Sequence, residues 1–159
     1  MKVRLATITD AEAIARIYNQ GIEDRIATFE TQPRSTGEIE AWFSKECVVV
    51  VAEDGRDVLA FAATFPYRTR ECYAGVREFS VYVDRQSRGK GAGRVAMQEL
   101  IDESRRRGMW KLLSRVFPEN TQSLKLLRAL GFREVGVYKK HARLDGDWRD
   151  VVIVEYLID

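Results

Sequence analysis

The period with which apolar positions recur changes several times along the chain, and each change marks an element. Residues 3–6 carry a short strand pattern, and Thr9-Asp10-Ala11 opens a helix through Tyr18, with Ile14, Ile17 and Tyr18 at helical spacing and Thr9/Glu12 as a capping-box pair. Residues 21–33 lose that periodicity and predict a connection that holds Arg25, Thr28, Phe29 and Glu30. Residues 35–44 predict a second helix, capped by Ser35 with Glu38 three positions on, and with Ile39, Trp42 and Phe43 on its inner face. The apolar run at 47–52 predicts a buried strand, which the turn Glu53-Asp54-Gly55-Arg56 returns as a hairpin over 58–65, stopped by Pro66.

Residues 73–83 predict a long central strand, with Gly75 marking a bend or bulge. A helix over 94–107 ended by Gly108, a strand over 111–117, and a helix over 121–130 started by Asn120 and ended by Gly131 follow. Strands over 132–138 and 150–157, joined across Leu144-Asp145-Gly146-Asp147, complete the chain. The order β-α-α-β-β-β-α-β-α-β-β predicts an α+β fold: a mixed, mostly antiparallel sheet of about seven strands flanked by about four helices.

Composition narrows the picture. A chain of 159 residues, 45% of them hydrophobic, suits a single domain spanning 1–159. Its 26 basic and 24 acidic residues leave a net charge of +2, which supplies no bulk field to draw nucleic acid or a membrane surface. The N-terminus Met-Lys-Val-Arg-Leu-Ala-Thr-Ile lacks a signal-peptide core and no apolar run reaches spanning length, so a cytoplasmic protein is expected. Cys47 and Cys72 lack metal-site spacing, and no metal is expected.

The candidate chemistry sits at 78–93, where a strand runs into a basic loop with glycines at 89, 91 and 93 and then into a helix. Glycines let successive N–H groups turn toward one point, and the first turn of a helix adds unsatisfied donors and its positive dipole end. Arg85, Arg88, Lys90 and Arg94 repel one another there unless an anion or water relieves them. The same pattern also suits a plain tight connection. It matches neither G-x-x-x-x-G-K-S/T nor the G-x-G-x-x-G spacing of dinucleotide folds.

Arg88-Gly89-Lys90-Gly91-Ala92-Gly93 resembles the R/Q-x-x-G-x-G/A signature of the GNAT acetyltransferases, and the element order resembles their fold over nearly the whole chain. The resemblance implies acetyl-coenzyme A as co-substrate. Its diphosphate would lie on the loop from Arg88 to Arg94, its pantetheine arm along Val81, Tyr82 and Val83, with Asn120 and Ser123 close by.

Four stretches resemble the phosphinothricin and arsinothricin N-acetyltransferases within that family: Ala27-Thr28-Phe29-Glu30, Pro66-Tyr67-Arg68-Thr69-Arg70, Tyr73 five residues before Glu78, and Asp145-Gly146-Asp147-Trp148-Arg149-Asp150. This branch acetylates the α-amine of small amino acids with an acidic tetrahedral side-chain group, and its members pair as homodimers. The resemblance implies Glu78 as the base that strips the amine, since only a neutral amine attacks a thioester. It implies the Val81 N–H as donor to the thioester oxygen.

Arg68 and Arg70, planar cations two residues apart, would grip the substrate's anionic oxygens. Phe29 and Tyr73 would wall its aliphatic stem, with Glu30 and His141 also on the substrate side. The chain departs from the superfamily at Leu127, where many members carry a tyrosine that protonates the leaving thiolate. Here the thiolate leaves unaided or takes a proton from Tyr138 or His141. Two other readings compete: acetylation of a different amine (protein N-terminus, polyamine or aminoglycoside), and a non-catalytic acetyl-coenzyme A sensor.

Overall fold

A computed structural model describes all of residues 1–159. The elements are β1 (Lys2–Leu5), α1 (Ala11–Asp24), α2 (Thr36–Glu40), β2 (Val49–Asp54), β3 (Asp57–Pro66), β4 (Val76–Val83), α3 (Ala92–Arg106), β5 (Lys111–Val116), α4 (Thr121–Ala129), β6 (Arg133–Leu144) and β7 (Asp147–Leu157). One sheet joins the strands in the order β1-β2-β3-β4-β5-β7-β6. Only β4 and β5 run parallel, as the expected α+β fold requires.

Both faces of the sheet are covered, which is why 47–52 reads as an unbroken apolar run. Val50, Ala52, Ala60, Ala62 and Phe79 point to one face and pack on Ala96, Met97, Leu100 and Ile101 of α3 and Leu124 and Leu127 of α4. Val49, Val51, Phe61 and Ala63 point to the other and meet Ala11, Ile14, Ala15 and Ile17 of α1 with Ile39 of α2. The period of two in the strands thus sorts the core into two layers.

Several boundaries differ from the sequence expectation, each for a local reason. Thr9 and Glu12 form no capping box. A 3₁₀ turn at Ile8–Asp10 precedes α1, and the Asp10 carboxylate accepts from the Thr7 N–H at 2.8 Å while Arg4 holds it from the other side. Helix α1 runs past Tyr18 to Asp24, because Ile22 extends its buried stripe and Gly21 faces the ring of Tyr82. Ser35 caps α2 as expected, accepting from the Glu38 N–H at 3.1 Å, but the helix gives way to a 3₁₀ turn at Ala41–Ser44.

The central strand starts at Val76. Tyr73 lies instead in a 3₁₀ turn, Glu71–Tyr73, and Gly75 makes room for the indole of Trp110. Helix α3 starts two residues early, at Ala92, since Gly91 at φ 87° provides the turn into it. Strands β6 and β7 are longer than expected and meet at Asp145-Gly146, both at positive φ (51° and 84°), a combination that suits a two-residue hairpin turn.

Candidate active site

The sheet opens at its one parallel junction. Strands β4 and β5 pair only over Val76–Lys111, Arg77–Leu112 and Glu78–Leu113; beyond them the Ser114 hydroxyl donates to the Phe79 carbonyl at 3.0 Å, and the strands then diverge. Backbone groups along a strand point alternately to its two sides. The Asp84 N–H donates to Leu59 of β3 and the Phe79 carbonyl accepts from β5, so odd-numbered residues of β4 face the opening. The N–H of Val81 therefore points into the gap.

Two cavities meet along this gap and share Ala27, Val81, Tyr82, Asn120 and Ser123. The first, about 600 Å³, is walled by Val83, Arg88, Gly89, Gly91, Ala92, Gly93 and Arg94. Gly89 and Gly91 adopt φ 78° and 87°, and nothing lies within 4 Å of where a Cβ on either would stand. The first hydrogen bond of α3 runs from the Val95 N–H to the Gly91 carbonyl, so the N–H groups of Ala92, Gly93 and Arg94 have no acceptor within the helix. Open glycine backbone, free amides and a positive helix end fit a diphosphate.

The charge in this loop is relieved differently from the sequence expectation. Carboxylates on α1 do the work: Arg88 donates to Asp24 at 2.8 Å, and Arg85 donates to Asp24 at 2.9 Å and to Glu23 at 3.2 Å. Burial pushes the Asp24 carboxyl upward, but the hydrogen bonds from Arg88 and Arg85 outweigh it and hold the group below its ordinary range. Lys90 and Arg94 form no ion pair, and Lys90 stands exposed outside the cavity wall.

The second cavity, about 440 Å³, occupies the gap and opens to the α1 side of the sheet. Its walls include Tyr18, Thr28, Phe29, Glu30, Phe65, Glu78, Ser80, Arg115, Phe117 and His141. Phe29 meets Phe117 edge to face at 4.9 Å, fixing the loop after α1 over the cavity. Tyr82 packs between Phe61 (5.5 Å) and Tyr18 (5.0 Å), and burial pushes its phenol well above the ordinary range. Glu78 presents its carboxylate here, and Arg115 Nη2 donates to its Oε1 at 2.8 Å.

A family model described as the acetyltransferase (GNAT) family matches residues 14–132. The chain belongs to the GNAT acetyltransferase family. It is 33% identical to a phosphinothricin N-acetyltransferase of Alcaligenes faecalis over 96% of this chain and 80% of that one. It is 28% identical to an L-methionine sulfoximine/L-methionine sulfone acetyltransferase of Pseudomonas aeruginosa over 99% and 94%. A solved GNAT phosphinothricin acetyltransferase from Sinorhizobium meliloti, in complex with acetyl-coenzyme A, superposes with a TM-score of 0.90 at 28% identity, covering 99% of this chain and 88% of that one.

As a GNAT acetyltransferase the protein brings Glu78, Phe29, Glu30 and His141 to one cavity, and Val81, Tyr82, Asn120 and Ser123 to its junction with the glycine cradle. Asn120 caps α4, its Oδ1 accepting from the Ser123 N–H at 3.3 Å. Leu127 also lines the second cavity and brings no proton to it; His141 lines it too, whereas Tyr138 stands outside, its ring 5.3 Å from that of His141. Arg68, Arg70 and Tyr73 are not among the wall residues. They occupy the exposed segment that follows Phe65, where Arg68 stacks over Tyr67 at 4.2 Å and Tyr67 meets Tyr73 at 5.6 Å. Arg115, Tyr18 and Phe117 escaped the sequence reading. The polar arginine within Leu-Leu-Ser-Arg-Val was the available signal, since it shares its parity with Leu113, opposite Glu78.

No group of three or more His, Cys, Asp or Glu side chains is placed to hold a metal ion, and no helix is long and apolar enough to cross a membrane.

Proposed function

We propose that the protein transfers an acetyl group from acetyl-coenzyme A to the α-amine of a small amino acid of the phosphinothricin, arsinothricin or methionine sulfoximine type, and so detoxifies it. One observation carries this reading: the Glu78 carboxylate stands in the wall of the acceptor cavity, on the same strand as the Val81 N–H that faces the gap where that cavity joins the cradle. Glu78 takes the proton from the incoming ammonium, directly or through water. The Val81 N–H donates to the thioester oxygen as negative charge builds there, an effect of about 3 kcal/mol. Asn120 and Ser123 border the path of the donor, and the thiolate leaves unaided or meets His141, which lines the second cavity. Arg68 and Arg70 meet the acceptor's distal anion from outside the cavity wall.

The relatives named for phosphinothricin and for methionine sulfoximine are in keeping with this acceptor class. The test is release of coenzyme A with phosphinothricin, arsinothricin, methionine sulfoximine and methionine sulfone, set beside spermidine, an aminoglycoside and a peptide N-terminus. Release with the amino acids is expected. Release confined to the other amines removes the acceptor assignment, and tight cofactor binding without turnover on any amine turns the protein into a sensor.

We also propose a homodimer working in the cytoplasm. Edge strand β6 leaves Val135, Val137 and Tyr138 about half exposed, an apolar edge suited to a second copy. Sedimentation at micromolar concentration tests the dimer, and a monomer there removes it.

A further inference from the structure

Arg115 is the one lysine or arginine among the wall residues of the acceptor cavity. Of the two carboxylates there, Glu30 already has a partner outside the wall, Arg34, at 2.9 Å. Glu78 and Arg115 are left paired with each other at 2.8 Å, side by side in the wall and only partly exposed (27% and 45% of each side chain). Strand parity explains why they meet. Leu112 and Val116 point to the α3 face, which sends Leu113 and Arg115 to the face where Glu78 stands.

An adjacent anion and cation form the complement of a zwitterion. An α-amino acid carries its ammonium and carboxylate on one carbon, at a separation that matches two neighbouring opposite charges. Arg115 spends a single N–H on Glu78 in this structure, and a guanidinium has five. A carboxylate can therefore be accepted in paired fashion on the remaining donors.

We propose that Arg115 binds the α-carboxylate of the acceptor, and that its bond to Glu78 is a stand-in that the substrate replaces, carboxylate on Arg115 and ammonium on Glu78. This deepens the amino-acid reading above and rests on it. Substrate arrival releases Glu78 Oε1 from Arg115 and points that oxygen at the nitrogen whose proton must leave. Amines without a neighbouring carboxylate leave the pair closed, so the same contact selects for α-amino acids.

The test uses L-methionine sulfone, whose side chain has no formal charge, its carboxamide, and phosphinothricin, with wild type, Arg115→Gln and Arg115→Lys. Hydrogen bonds to charged groups set the expected scale: Arg115→Gln raises KM for methionine sulfone roughly 10- to 100-fold. The preference of wild type for the acid over its carboxamide collapses toward one. Arg115→Lys recovers part of that preference, while coenzyme A affinity and Tm stay at wild-type values. An acid-to-amide preference unchanged in Arg115→Gln overturns the proposal, and so does a loss confined to phosphinothricin, which would assign Arg115 to the side-chain anion. Calorimetric binding of methionine sulfone to the coenzyme A complex separates this from the function itself. Binding that depends on Arg115 without turnover keeps the subsite and removes the activity, whereas absence of binding removes both.

Discussion

The ring of Tyr82 rests on the bare backbone of Gly21: a Cβ at residue 21 would stand 2.5 Å from its Cε1 and 2.7 Å from its Cδ1. Helix α1 thereby sits directly on β4 at the height where both cavities meet, and Gly21 belongs to the wall of one and Tyr82 to both. Replacing glycine inside a helix ordinarily gains up to about 1 kcal/mol. Overpacking of about 1–3 kcal/mol opposes it here, because the ring is held by Phe61 and Tyr18 and cannot simply swing aside. Gly21→Ala is expected to lower the urea midpoint and to raise KM for the cofactor; a higher midpoint would mean the ring has room to move.

Glu78→Gln keeps the shape of the cavity wall and removes the carboxylate proposed as the proton acceptor. A fall in kcat of roughly 100- to 10,000-fold is expected, with coenzyme A affinity unchanged. Stopped-flow thiol detection and calorimetry read the two quantities separately. Full-rate turnover in this variant would take the base assignment away from Glu78.

Gly91 and Gly55 both occupy the left-handed region, at φ 87° and 62°, and both have open space where a Cβ would be. Alanine at either costs about 1–2 kcal/mol of backbone strain. Only Gly91 lies in the cradle, so Gly91→Ala is expected to weaken coenzyme A binding about 10-fold or more, beyond its effect on stability, since its Cβ enters the space assigned to the diphosphate. Gly55→Ala, in the β2–β3 turn, shows the stability loss alone. Equal affinities in the two variants would move the diphosphate elsewhere.

The Asp10 carboxylate accepts from Arg4 at 2.8 and 2.9 Å and from the Thr7 N–H at 2.8 Å. The Arg4 hydrogen bonds outweigh burial and hold the group below the ordinary carboxylate range. A carboxyl whose value is lower folded than unfolded adds stability above its unfolded value and loses it as pH falls through the folded one. Asp10→Asn is therefore expected to cost about 1–3 kcal/mol at neutral pH. The gap to wild type should close in acid, below about pH 4. Urea titrations at pH 7, 5 and 3 measure it; a gap that stays constant with pH would show that Asp10 acts through packing alone.

Sequence patterns were sufficient wherever one residue or its near neighbours carry the structural requirement. Ser35 with Glu38, Asn120 with Ser123, and the glycines at 89 and 91 are local devices, satisfied within a turn of chain, and each stands where the pattern indicated. The alternation in the strands likewise sufficed for the sheet and its two packed faces.

Local rules failed where a partner far along the chain decides. Gly21 reads as the start of a connection until the Tyr82 ring explains its missing side chain inside α1, and Gly75 reads as a bend or bulge until Trp110 does. Arg85 and Arg88 read as charges awaiting an anion, yet Asp24 lies 61 and 64 positions from them in sequence and beside them in space. Chain order, core pattern and the glycine cradle were thus determined by the amino-acid sequence itself, since backbone preference and hydrophobic period act over a few residues. The meeting of Glu78 with Arg115, 37 positions apart, was decided only by the register of β4 against β5, because parallel pairing over three residues sets which side chains face each other before the strands part.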